Sequence, residues 1–135
     1  MKKRARVLMV DDDLDYAHSI RLVLEKAGYE FHHARDGEEG LARLKELSPA
    51  LIILDVVMNN RTEGFHFAKT LRSGTEWATY AKTPILVLTG MFRQDTDPAA
   101  LSSDAPAFRP TDGFLEKPVR SAVLLKMVSE LTAKP

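Results

Sequence analysis

Two kinds of apolar spacing alternate along this chain. Arg6-Val7-Leu8-Met9-Val10 is a run of strand length that stops at Asp11-Asp12-Asp13. From Leu14 the period changes, and Leu14, Ala17, Ile20, Leu24 and Ala27 recur every three or four residues. The first pattern predicts a strand and the second a helix, capped by Asp13 and ended by Gly28. Tyr29 to Ala34 reads as a second strand. Asp36 and Glu39 have the spacing of a capping box, opening a helix with Leu41, Leu44 and Leu47 on its buried face and closing before Pro49. Ala50-Leu51-Ile52-Ile53-Leu54 is apolar at every position, as a central strand covered on both faces should be, and it ends abruptly at Asp55.

Thr62 is predicted to open a third helix carrying Phe65, Ala68 and Leu71, while Ser73 to Thr83 has no decisive period. After Pro84, Ile85-Leu86-Val87-Leu88 forms a fourth strand ending at Thr89-Gly90. The stretch from Met91 to Thr111 holds Pro98, Pro106 and Pro110 with few periodic apolar residues, so any helix there is short. Gly113-Phe114-Leu115-Glu116 is the fifth strand, stopped by Lys117-Pro118, and a last helix places Leu124, Val128 and Leu131 on one face. Strands alternating with helices, without repeat or linker, predict an α/β three-layer sandwich around a five-stranded parallel sheet of order 2-1-3-4-5. Residues 1–135 read as one domain with its core at about 6–131.

Composition narrows the function. At 135 residues, a domain buries roughly two-thirds of its unfolded surface and needs no disulfide or metal staple. The absence of cysteine excludes thiol nucleophiles and cysteine-bound metals, and fits a cytoplasmic location. Nineteen basic and nineteen acidic residues cancel, which argues against direct nucleic-acid binding. Lys2, Lys3, Arg4 and Arg6 read as a solvated flank. The apolar runs, about five residues long, fall far short of a membrane span, and no signal-peptide pattern is present.

The polar residues fall where such a sheet binds ligands, at the carboxyl ends of its strands. The first strand ends in Asp11 and Asp12, the third in Asp55, the fourth in Thr89 and the fifth in Lys117. In the order 2-1-3-4-5 these side chains converge on one cleft. Any one of them alone is ordinary turn or cap chemistry, but the set is hard to explain that way. Crowded carboxylates repel one another unless a cation joins them, and oxygen ligands with room for water and phosphate suit Mg²⁺. A lysine and a hydroxyl suit phosphate oxygens, and a carboxylate can form an aspartyl phosphate.

Val10-Asp11-Asp12, Leu54-Asp55-Val56-Val57-Met58, Leu88-Thr89-Gly90 and Phe114-Leu115-Glu116-Lys117-Pro118, in this order and spacing, resemble the signature of response regulator receiver domains over roughly Arg6 to Leu131. The resemblance implies a CheY-like, flavodoxin-like fold with Asp55 as phosphoacceptor. It implies that Asp12, Asp55 and the backbone carbonyl of Val57 bind Mg²⁺, with Asp11 acting through water. Lys117 would pair with Asp55 and then with a phosphoryl oxygen, Thr89 would donate its hydroxyl to another, and Phe114 would turn inward as Thr89 moves. The Lys117-Pro118 bond is expected to be cis. The phosphoryl donor would be a sensor histidine kinase or histidine phosphotransfer protein, the receiver of the signal a downstream protein not named by the sequence, and the chain a monomer or phosphorylation-linked dimer. The domain would be a switch, catalysing only its own phosphorylation and dephosphorylation.

The chain also departs from that pattern. Asn59 stands where the family usually has proline, Gly64 comes one residue late, and the interval from Thr89 to Lys117 is several residues longer than usual. Val57 and Met91 occupy the positions that flank the phosphoryl group, and neither can hold a water by hydrogen bonding, so slow self-dephosphorylation is expected. Two other classes compete: a pseudo-receiver that binds partners without phosphate, and a haloacid-dehalogenase-type hydrolase, disfavoured because Val57 stands where that family has its second Asp. His18, His32, His33 and His66 lack metal-ligand spacing. Trp77 and Tyr80, like Phe65 and Phe67, read as packing residues.

Overall fold

Among residues 4–55, 70, 80, 82–89 and 113–133, which the computed structural model describes, the chain runs β1 (Arg6–Val10), α1 (Leu14–Lys26), β2 (Glu30–Ala34), α2 (Gly37–Leu47), β3 (Leu51–Leu54), β4 (Ile85–Thr89), β5 (Gly113–Glu116) and α3 (Ser121–Thr132). Apart from Thr70, Tyr80, Lys82 and Thr83, the expected third helix and the unassigned stretch after it lie outside the described residues, as do the proline-bearing segment from Met91 and Val57, Asn59, Gly64 and Trp77. The strands form one parallel sheet of order β2-β1-β3-β4-β5. That order is the one the alternation of patterns predicts.

Both faces of the sheet are covered, and the strand composition follows from that. Leu8, Val10, Ile52, Leu54, Ile85 and Val87 pack with Leu44 and Leu47 of α2 on one face. Val7, Met9, Ile53 and Leu86 pack with Ala17, Ile20 and Leu24 of α1 and Leu124, Val128 and Leu131 of α3 on the other. Every residue of β3 is fully buried, which explains its lack of polar alternation. Tyr80 packs partly buried against the first cluster, in keeping with a packing role.

The helix ends show where local chemistry sets the boundaries. Asp13 Oδ1 accepts the Tyr16 N–H at 2.9 Å, and Asp36 Oδ1 accepts the Glu39 N–H at 2.8 Å. The return bond of Glu39 goes to the Arg35 N–H at 3.1 Å, one residue earlier than a capping box has it. Gly28, with φ of 96°, turns the chain after α1, whereas α2 ends at Ser48, a left-handed non-glycine residue with φ of 44°. The buried face of α1 is narrower than its spacing implies. Leu14, the first helical residue, is 57% exposed, and Ala27 caps the other end in solvent; no further helical turn lies beyond either to bring it over the sheet.

On the edge strand β2, His32 and His33 point to opposite faces, as alternation requires. His32 Nε2 lies 2.7 Å from Glu30 Oε2, and its Nδ1 lies 3.0 Å from Arg43 Nη2.

Candidate functional site at the carboxyl end of the sheet

Asp11 and Asp55 each extend a strand ladder by one residue. The Asp11 N–H donates to the Ala34 carbonyl and the Asp55 N–H to the Val10 carbonyl, both at 3.0 Å. Their carboxylates are thereby fixed at the rim of the sheet, with Asp11 fully buried and Asp55 only 6% exposed. Asp12 is half-buried beside them. One carboxylate oxygen from each of Asp11, Asp12 and Asp55 lies within 4.8 Å of the others.

Lys117 follows β5, and its bond to Pro118 is cis, as expected. Its Nζ donates to Asp11 Oδ2 at 2.7 Å and reaches Asp55 Oδ2 at 3.4 Å. The lysine is thus shared between the two carboxylates and held more tightly by Asp11. Burial works against the charge on this ammonium, yet the hydrogen bond and charge of Asp11, with those of Asp55, outweigh it and raise the Lys117 pKa above the ordinary lysine value. Asp11 Oδ1 also accepts the Asp13 N–H at 2.9 Å. Both Asp11 oxygens therefore face donors.

Thr89 is the last residue of β4, with Glu116 as its Cα partner, so its backbone stands at the same rim one residue before Lys117. Phe114 pairs with Val87 and packs, partly buried, against the cluster of Leu8, Val10 and Leu54. Of the expected site residues, the fold brings the side chains of Asp11, Asp12, Asp55 and Lys117 together and the backbone of Thr89 to the same edge; the Val57 carbonyl lies outside the described residues.

The donor set tests whether a divalent cation fits. Three carboxylates face one ammonium, a formal excess of two negative charges within the cluster, and all donors are hard oxygens. That chemistry suits Mg²⁺, which favours a few carboxylates and keeps several waters.

Two neighbours of the site were not singled out from sequence. His33 Nε2 lies 2.6 Å from the Asp11 carbonyl oxygen. The parallel register, which pairs His33 with Met9, carried that signal. The Lys117 ammonium lies 4.6 Å from the centroid of the Tyr16 ring. Helical side chains lean toward the helix N-terminus, so an aromatic residue in the first turn of α1 overhangs the loop before it.

Comparison with known proteins agrees with this arrangement. The family model of the response regulator receiver domain matches residues 7–129. The response regulator MprA of Mycolicibacterium vanbaalenii is 35% identical over 93% of this chain and 49% of its own length. The DNA-binding dual master transcriptional regulator RpaA of Synechocystis is 31% identical over 93% of this chain and 48% of its own. Among solved structures, the chemotaxis protein CheY4 of Vibrio cholerae superposes with a TM-score of 0.77 at 32% identity, covering 96% of this chain and 99% of that one. The chain belongs to the response regulator receiver domain family, the receiver module of two-component systems. It spans about half the length of the curated relatives it matches. No described helix is long and apolar enough to cross a membrane.

Proposed function

We propose that this receiver domain accepts a phosphoryl group on Asp55 in a Mg²⁺-dependent transfer and thereby switches the surface it offers to partners. The observation that carries the reading is the meeting of a nearly buried Asp55 carboxylate with Asp11, Asp12 and the Lys117 ammonium at one rim of the sheet. The donor is a phosphohistidine on a sensor histidine kinase or histidine phosphotransfer protein. Its N–P bond breaks as a bond forms from an Asp55 carboxylate oxygen to phosphorus, and the histidine nitrogen leaves with the electron pair.

Asp12 and Asp55, with the Val57 carbonyl, would hold Mg²⁺, and Asp11 would assist through water. When bound, the ion offsets charge on the transferring oxygens. Lys117 moves its ammonium from the carboxylates to a phosphoryl oxygen, while the Thr89 hydroxyl donates to another and Phe114 turns inward with it. In this reading the domain is a signalling switch and no metabolic enzyme. It is a single receiver unit over residues 1–135, works in the cytoplasm, is monomeric or dimerises on phosphorylation, and acts through a downstream protein. The zero net charge favours protein contact over direct nucleic-acid contact by this chain, whatever further segments serve relatives named as DNA-binding.

The test is incubation with acetyl phosphate, with and without Mg²⁺, followed by intact mass of wild type and Asp55→Asn. One phosphoryl group that requires Mg²⁺ and is lost in the variant is the expected result. No incorporation, with no binding of Mg²⁺ or beryllofluoride, would favour a pseudo-receiver that binds partners without phosphate. Val57 and Met91 give a second expectation. Self-dephosphorylation is slow, and a Val57→Asn, Met91→Glu double variant loses its phosphoryl group faster; equal lifetimes would contradict this.

A further inference from the structure

A closed circuit of contacts runs through the site and includes a residue to which the acceptor chemistry assigns no role. The Asp11 carboxylate accepts the Asp13 N–H at 2.9 Å, and the Asp13 carboxylate accepts the Tyr16 N–H at 2.9 Å. The Tyr16 ring lies 4.6 Å below the Lys117 ammonium, which returns to Asp11 at 2.7 Å. The Tyr16 hydroxyl also accepts the Val119 N–H at 3.3 Å. One side chain therefore touches both ends of the three-residue stretch that carries the lysine.

The geometry points to Tyr16 as the positioning residue for Lys117, an inference that rests on reading Asp55 as the phosphoacceptor. An ammonium has three N–H donors. Asp11 and Asp55 engage one side of it, and the ring face covers another, where water would otherwise compete. The attraction of a cation to an aromatic face is weakly directional within the plane of the ring. Lys117 can therefore shift from the carboxylates toward an incoming phosphoryl oxygen without leaving the ring, and its side chain, 15% exposed, is kept from swinging into solvent. Tyr16 touches no reacting atom and acts through the lysine.

The experiment compares wild type, Tyr16→Phe and Tyr16→Leu for the rate of phosphoryl incorporation from acetyl phosphate at saturating Mg²⁺, for Mg²⁺ affinity by calorimetry, and for thermal stability. In parallel, the ¹³C–¹H signals of the Lys117 ε-methylene report the ring-current shift from Tyr16. Tyr16→Leu is expected to slow incorporation ~3- to 10-fold, the range of one partly desolvated cation–π contact, with Mg²⁺ affinity close to wild type. The upfield shift of the methylene disappears in Tyr16→Leu, while Tyr16→Phe keeps both the shift and most of the rate.

A wild-type rate in Tyr16→Leu overturns the proposal, as does a Tyr16→Phe as slow as Tyr16→Leu. A loss of rate matched by losses of Mg²⁺ affinity and stability also overturns it, because that pattern marks general damage to the fold. The two readings fail separately. A wild type that takes no phosphate overturns the acceptor reading and this role with it, whereas an active wild type with an unaffected Tyr16→Leu overturns the positioning role alone.

Discussion

Lys117 stands between two carboxylates that compete for it, and the distances say which holds it at rest. Asp11 at 2.7 Å is the stronger partner and Asp55 at 3.4 Å the weaker, so the ammonium is held beside Asp55 rather than spent on it. Asp12 adds a third negative charge with no second ammonium in the cluster among the described residues. Placing three like charges together costs stability unless a cation joins them. Asp12→Asn is accordingly expected to stabilise the Mg²⁺-free chain by about 1 kcal/mol, the size of one charge pair at about 4 Å in water, and to abolish the stabilisation Mg²⁺ gives wild type. Thermal unfolding in chelator and in Mg²⁺ measures both effects. A variant less stable than wild type in chelator would show that Asp12 is held by its partners more than it is repelled by its neighbours. At this scale the sequence made the acidic residues and Lys117 legible because Asp11, Asp55 and Lys117 each directly follow a strand and Asp12 comes one residue later. It did not disclose that Asp11, rather than Asp55, keeps the lysine, since that depends on ångström-level differences in where two strands end.

Among the elements, the strands were the most legible and the helix faces less so. An apolar run such as Leu51-Ile52-Ile53-Leu54 has one structural solution in an alternating chain, and all of it is buried. The spacing that put Leu14 and Ala27 on a buried face holds along α1 but cannot say how far the sheet extends beneath it. Gly113 shows another limit of pattern reading. Its place in β5 looks permissive, yet a Cβ there would lie 3.0 Å from Leu86 Cδ1 and 3.1 Å from the Met127 sulfur. Gly113→Ala is expected to destabilise the fold by about 1–2 kcal/mol through overpacking between β4 and α3, read by urea unfolding; a stabilised variant would mean that the two flexible side chains yield freely.

On the edge strand, the hydrogen bond from His32 holds the Glu30 carboxyl below its ordinary value of 4.5, against a smaller effect of burial and with help from Arg6. A carboxyl depressed in the folded state contributes stability above its unfolded pKa and loses it as pH falls through the folded value. Glu30→Gln should therefore be less stable than wild type near neutrality, with the difference closing below about pH 4.5; a difference that persists into acid would assign the effect to packing. The side chain is well exposed, so the effect is small.

For the whole molecule, a parallel sheet of order β2-β1-β3-β4-β5 gathers residues from positions 11, 55 and 117 at one rim, and nothing shorter than the complete crossover pattern could do so. The order was readable because strand-length and helix-length periods alternate along the chain. The Tyr16 contact was not, because it joins the first turn of one helix to the loop before another across more than a hundred residues of sequence. Both follow from the same architecture, in which loops at the carboxyl ends of adjacent strands have nowhere to go but toward each other. Phosphoryl transfer to the Asp55 carboxylate is tested most directly by treating the chain with acetyl phosphate and Mg²⁺, reducing it with borohydride, which converts an aspartyl phosphate to homoserine, and sequencing the peptides by mass. Homoserine at position 55, dependent on Mg²⁺ and on acetyl phosphate, is the expected result. Homoserine at position 11 or 12, or none in a chain that binds Mg²⁺, would contradict it.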